Sequence, residues 1–125
     1  MDQDLLRDLF AAAGPIQIRK LFGGQGIYSD GMIIAVVVRG KLMLKVDAQS
    51  APEFEAAGSR RWTYARTGKE PVGMPYFNCP DEAFDDPDSA AEWVRLALDA
   101  ARRSGTAMKL PSKVGRAERV RAKTQ

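Results

Sequence analysis

"RKLFGGQGIYSDGMIIAVVVRGKLMLKVD", residues 19–47, decides the fold. Ser29-Asp30-Gly31 and Arg39-Gly40 are tight-turn signals that divide it into three β-rich runs. Residues 26–28 are expected to pair with residues 32–38, and these with residues 41–46, as an antiparallel meander. In the last run Leu42, Leu44 and Val46 alternate with Lys41, Met43 and Lys45, which puts the two sets on opposite sides of a sheet.

Helical patterns surround this meander. Leu5, Leu6, Leu9, Phe10, Ala12 and Ala13 have helical spacing, with Asp2 and Asp4 at the positive end of the helix dipole. Gly14-Pro15 closes that helix, predicted over residues 3–13. Residues 51–57 form a short helix, capped by Gln49-Ser50 and ended by Gly58. Residues 61–66 alternate as a strand, and residues 74–78 return as another after the turn at Thr67-Gly68-Lys69-Glu70. Pro75 lacks an amide donor, so this strand lies at an edge or bulges there. Asp86-Pro87-Asp88 opens the last helix, with proline at its first position. Trp93, Leu96, Ala97 and Ala100 follow at helical spacing, and Ser104-Gly105 stops it. The predicted order is helix, three strands, helix, two strands, helix: an α+β fold with an antiparallel sheet.

Four glycines crowd residues 19–31, behind Arg19 and Lys20. They could hold a phosphate or shape strands. Neither G-x-x-x-x-G-K-[ST] nor G-x-G-x-x-G fits, and both need a strand before the loop and a helix after it. Here a helix precedes and strands follow. Gly23, Gly24 and Gly26 therefore read as backbone geometry within bent strands, flanked by Phe22 and Tyr28, while Asp30-Gly31 closes a hairpin. Arg19 and Lys20 remain candidates for an anion.

Other chemistry finds little footing. The 125 residues contain no histidine and one cysteine, Cys79, which leaves a zinc site without a ligand set. Cys79 reads as a packing residue, since no histidine is present to activate it. Asp81, Glu82, Asp85, Asp86 and Asp88 lack calcium-loop spacing and are better explained by helix capping. Glu53, Glu55 and Glu70 are scattered, and no serine has a histidine partner or a nucleophile elbow. The expectation is a protein that is not an enzyme and takes neither a metal nor a cofactor.

Length predicts one domain over residues 1–106, followed by a basic tail over residues 107–125. Residues 109–125 hold six Lys or Arg against one acid, which leaves 13 basic and 15 acidic residues in positions 1–108. The tail offers a salt-sensitive phosphate-binding arm. Arg60 and Arg61, with Arg66 beside Trp62 and Tyr64, mix cations and aromatics as single-strand-binding surfaces do. No run of eighteen apolar residues exists, the N-terminus is acidic, and the lone cysteine suits a reducing compartment. A cytoplasmic protein with no membrane segment is expected.

Three groups of residues together resemble the N-terminal domain of the TfoX/Sxy family, in order from about Leu5 to Arg103. They are Arg19-Lys20-Leu21-Phe22-Gly23-Gly24 with Gly26 and Tyr28, Leu44-Lys45-Val46-Asp47, and Met74 with Tyr76 and Pro80. The resemblance implies an α-β(3)-α-β(2)-α arrangement similar to type III secretion chaperones, a fold that often dimerises. It also implies a bacterial regulator of the kind that promotes natural competence, with RNA polymerase or the cyclic-AMP receptor protein as partner. Fuller members carry a second, helical domain where this chain has its basic tail, so a stand-alone N-terminal domain is implied.

Overall fold

The computed structural model describes residues 1–21, 23–65 and 67–104. The expectations placed on Phe22, Arg66 and the basic tail lie outside these residues.

Helix α1 spans Gln3–Leu9, and the Asp2 carboxylate caps it by accepting from the Leu5 amide at 3.0 Å. A 3-10 turn at Ala11–Ala13 follows, then Gly14 at φ 73°. The predicted helix over residues 3–13 is thus an α-helix of two turns that tightens at its end. The chain continues through strands β1 Gln17–Leu21, β2 Gly24–Ser29, β3 Met32–Val38 and β4 Lys41–Lys45. Helix α2, Ala51–Ala56, leads to β5 Arg61–Tyr64 and β6 Val72–Asn78. Two helices close the fold, α3 Glu82–Asp85 and α4 Pro87–Ser104.

All six strands form one antiparallel sheet in the order β1-β2-β3-β4-β6-β5. The fold is α+β, with two additions to the expected order: the edge strand β1 and the short helix α3. Strand β1 escapes pattern reading because Arg19-Lys20 interrupts its alternation, leaving only Ile18 and Leu21 as apolar markers. Strand β6 lies inside the sheet, between β4 and β5, so Pro75 is not on an edge strand. Proline is tolerated there because the β5–β6 register jumps from Arg61↔Phe77 to Thr63↔Gly73, which places Pro75 in a bulge.

Both predicted two-residue turns exist with left-handed backbone, Asp30 and Gly31 at φ 51° and 79°, Arg39 and Gly40 at 54° and 77°. Positive φ at both positions matches the turn's twist to that of the strands it joins. The cap of α2 differs from expectation. Ser50 makes no side-chain capping bond to the helix. Instead the Asp47 carboxylate accepts from the amides of Gln49 and Ser50, at 3.1 and 3.0 Å.

One row of paired residues crosses all six strands on the helix-covered side: Ile18, Ile27, Ala35, Leu44, Phe77 and Arg61. The main core gathers on it, with Leu6 and Phe10 from the N-terminal segment, Phe54 from α2, and Val94 and Ala97 from α4. The Phe54 ring packs on Phe77 and Trp93 at centroid separations of 5.9 and 4.8 Å. Glu82 joins α3 to α4, its carboxylate accepting from Ser89 Oγ at 2.9 Å and Trp93 Nε1 at 3.0 Å. These bonds, Trp93 foremost, hold its pKa below the ordinary value.

Candidate functional site

The pairing that orders the core also places the candidate cations. Arg19 pairs with Gly26 and Lys20 with Gln25, so adjacent residues of β1 point to opposite faces of the sheet. Lys20 shares the helix-covered face with Val37 and Leu42, and Arg19 shares the other with Val36 and Met43. Both line an open cleft of about 580 Å³ around the β1 edge, together with Gln3, Leu21, Gly24 and Gln25. Arg19 reaches Gln17 Oε1 at 3.4 Å.

Arg60 and Arg61 lie at the other end of the sheet. Five inter-strand spacings separate β1 from β5, about 24 Å at about 4.8 Å each. The four candidate cations therefore form two separate pairs. Arg61 also has a structural role: its guanidinium lies 4.8 Å from the Phe77 ring centroid and donates to the Met74 carbonyl at 2.9 Å. Arg60 is exposed, and its carbonyl accepts from the Asn78 amide.

The glycines can be read individually. A Cβ on Gly24 would stand 1.8 Å from the Val37 carbonyl oxygen, so the β2–β3 approach requires glycine there. At Gly26 a Cβ would meet the Tyr28 ring at 3.0 Å and Leu21 at 3.2 Å, because these side chains close over the gap. Gly23 takes φ 76° in the turn between β1 and β2. The β2–β3 bulge falls where Tyr28 pairs with Ile33 directly after Ile27 pairs with Ala35, so the extra residue, Ile34, belongs to β3.

Cys79 is buried, and burial pushes its thiol up to about 12. It is therefore protonated at neutral pH and a poor nucleophile. Among the described residues no group of three or more His, Cys, Asp or Glu could hold a metal ion. No described helix is long and apolar enough to cross a membrane.

A second apolar cluster escaped pattern reading. Ile33, Val36, Met43 and Tyr76 are buried on the sheet face opposite the helices, and Leu21, Tyr28, Val38, Trp62 and Met74 pack against them. Every member comes from a strand. Lys45 is on this face too, 2% exposed, its ammonium 5.4 Å from the Tyr76 ring centroid. Among the described residues it has no hydrogen-bond acceptor. Nearby Asp47 already accepts from Arg103 Nε at 2.6 Å and Nη2 at 3.0 Å. Desolvation lowers the Lys45 pKa, and the Asp47 charge offsets this only in part. The signal in the sequence was the alternation of Met43 and Lys45 with the core leucines, which fixes the face but not what fills it.

The chain matches the TfoX N-terminal domain family over residues 8–101, the majority of its length. It belongs to that family. No curated protein matches it.

Proposed function

We propose that this protein is a non-enzymatic regulatory adaptor of the bacterial cytoplasm, acting in transcriptional control through contacts with another protein. The family membership over residues 8–101 carries this reading, since the family takes its name from regulators of competence. The edge strand β1 supports it physically. One side of β1 pairs with β2, and the other is an edge able to accept a strand from a partner. The cleft there, with Arg19 and Lys20 on opposite sides of the strand, favours an acidic partner segment.

Affinity capture from a bacterial lysate tests the reading, with RNA polymerase and the cyclic-AMP receptor protein examined first. Wild-type protein should retain a transcription component that the Arg19→Glu/Lys20→Glu variant does not. Retention of no transcription component would refute the proposal.

A further inference from the structure

The charges of this chain are sorted by layer. The strands carry Arg19, Lys20, Lys41, Lys45 and Arg61 and no acidic residue. Helices α1–α4 carry nine acids against four arginines. Such sorting gives the sheet side a positive field and the helix side a negative one.

Three of the strand cations fall on the helix-free face. Arg19, Val36 and Met43 share one row of pairs, Lys41 is two residues before Met43 on its strand, and Lys45 two residues after. Aromatic residues stand among them. Tyr64 is 50% exposed beside its cross-strand partner Val72, itself 44% exposed. Trp62 and Tyr28 are half-buried, and Trp62 packs on Tyr76 at 6.2 Å between centroids. Cations and flat aromatic surfaces thus share one face, and no acidic strand residue opposes them.

We propose that the helix-free face binds single-stranded nucleic acid, with Tyr64, Trp62 and Tyr28 stacking on bases and the exposed Arg19 and Lys41 meeting phosphates. An antiparallel sheet backed by helices and presenting aromatic side chains suits unstacked bases, whose faces are open to it. The sheet is about 24 Å wide from β1 to β5, enough for a short run of nucleotides. Double-stranded DNA fits poorly. Its bases are stacked inside, and the exposed aromatic rings of this face cannot reach them.

Fluorescence anisotropy with the full chain tests the proposal, using labelled twelve-nucleotide single strands of DNA and RNA and a duplex of the same sequence at several salt concentrations. Single strands should bind more tightly than the duplex, with affinity falling as salt rises. Tyr64→Ala and Trp62→Ala should each weaken binding about ten- to hundredfold. Arg19→Ala should weaken it and lower the salt slope by about one contact, whereas Lys20→Ala, on the opposite face, should have a clearly smaller effect. Tyr64 is exposed, so its variant should keep the wild-type circular dichroism and melting curve even if Trp62→Ala does not. Three results would each overturn the proposal: no salt-sensitive single-strand binding, equal affinity for the duplex, or affinity indifferent to Tyr64 and Arg19. So would sedimentation showing that the face instead pairs two copies of this chain, in a dimer that Tyr64→Ala disperses, with no nucleic acid bound.

Discussion

The row Ile18, Ile27, Ala35, Leu44, Phe77 and the row Arg19, Gly26, Val36, Met43, Asn78 are one residue apart in every strand, yet they have different surroundings. The first lies under helices. The second belongs to a face whose apolar cluster draws on no described helix. Burial alone barely separates them, since Leu44 is 0% exposed, Val36 2% and Met43 4%. Chemistry separates them better: both clusters hold aliphatic side chains and methionine, but the tyrosines, Tyr28 and Tyr76, and the buried Lys45 belong to the helix-free face, while the buried phenylalanines, Phe10, Phe54 and Phe77, belong to the other. One layer is the core between sheet and helices, and the other is a smaller apolar cluster built by the strands alone.

The largest expected difference lies in core truncation. Phe54→Ala removes a ring packed between Phe77 and Trp93 and should cost about 3–5 kcal/mol. Urea denaturation measures it. A cost below about 1 kcal/mol would show that the helix face is not the main core.

Gly24→Ala tests the geometry joining the faces. The added Cβ meets backbone, which moves only if β2 and β3 separate, so a loss of about 3 kcal/mol is expected. Thermal melting of this variant beside Gly26→Ala makes the contrast, since the neighbours of Gly26 are side chains that can turn aside.

Lys45→Met should reverse the sign. Replacing a buried ammonium that has no acceptor among the described residues by an apolar group of similar length should leave stability unchanged or raise it by about 1 kcal/mol. The pH dependence follows from the lowered pKa. The folded state sheds this proton more readily than the unfolded chain, so the destabilising contribution of Lys45 is relieved as pH climbs from the folded value towards 10.5. Denaturation between pH 8 and pH 10.5 should show wild type gaining stability relative to Lys45→Met, a difference that cancels the opposite slope both proteins share from the raised Cys79 thiol. A loss of stability in the variant would mean that Lys45 is well satisfied.

Asp47 ties the end of β4 to the last turn of α4. Chiefly through its bond with Arg103, its carboxyl is held at about 2, against about 3.9 in an unfolded chain. Between these values the folded state binds fewer protons, so the contribution is whole above about pH 4 and is lost as pH falls through about 2. For a partly exposed pair this amounts to about 1 kcal/mol. Asp47→Asn should be less stable than wild type by that amount at pH 7, and the gap should close at pH 2. Tyr64→Ala should be the mildest change, within about 0.5 kcal/mol in melting experiments, because half of the ring is already in water.

Much of the fold was legible because local rules and tertiary packing agree. Asp30-Gly31 and Arg39-Gly40 announce turns that need left-handed backbone, and Pro87 with its flanking acids marks where α4 begins. The candidate site was less legible. Arg19 and Lys20 are neighbours in sequence but project from opposite faces of an edge strand, and Arg61 lies over a core ring. Trp62 and Tyr64 were visible as an alternating pair, but their surroundings come from β6, a strand more distant in sequence.

The sequence by itself determined the α+β class, the hairpins, the start of α4 and the family, since each rests on backbone preference or on residues close along the chain. Tertiary structure decided that β1 pairs as a sixth strand, that β6 sits inside the sheet, and which face each cation occupies. Those outcomes depend on register between distant segments. A shift of one residue exchanges the two faces of a strand, and only packing against the rest of the molecule selects between them.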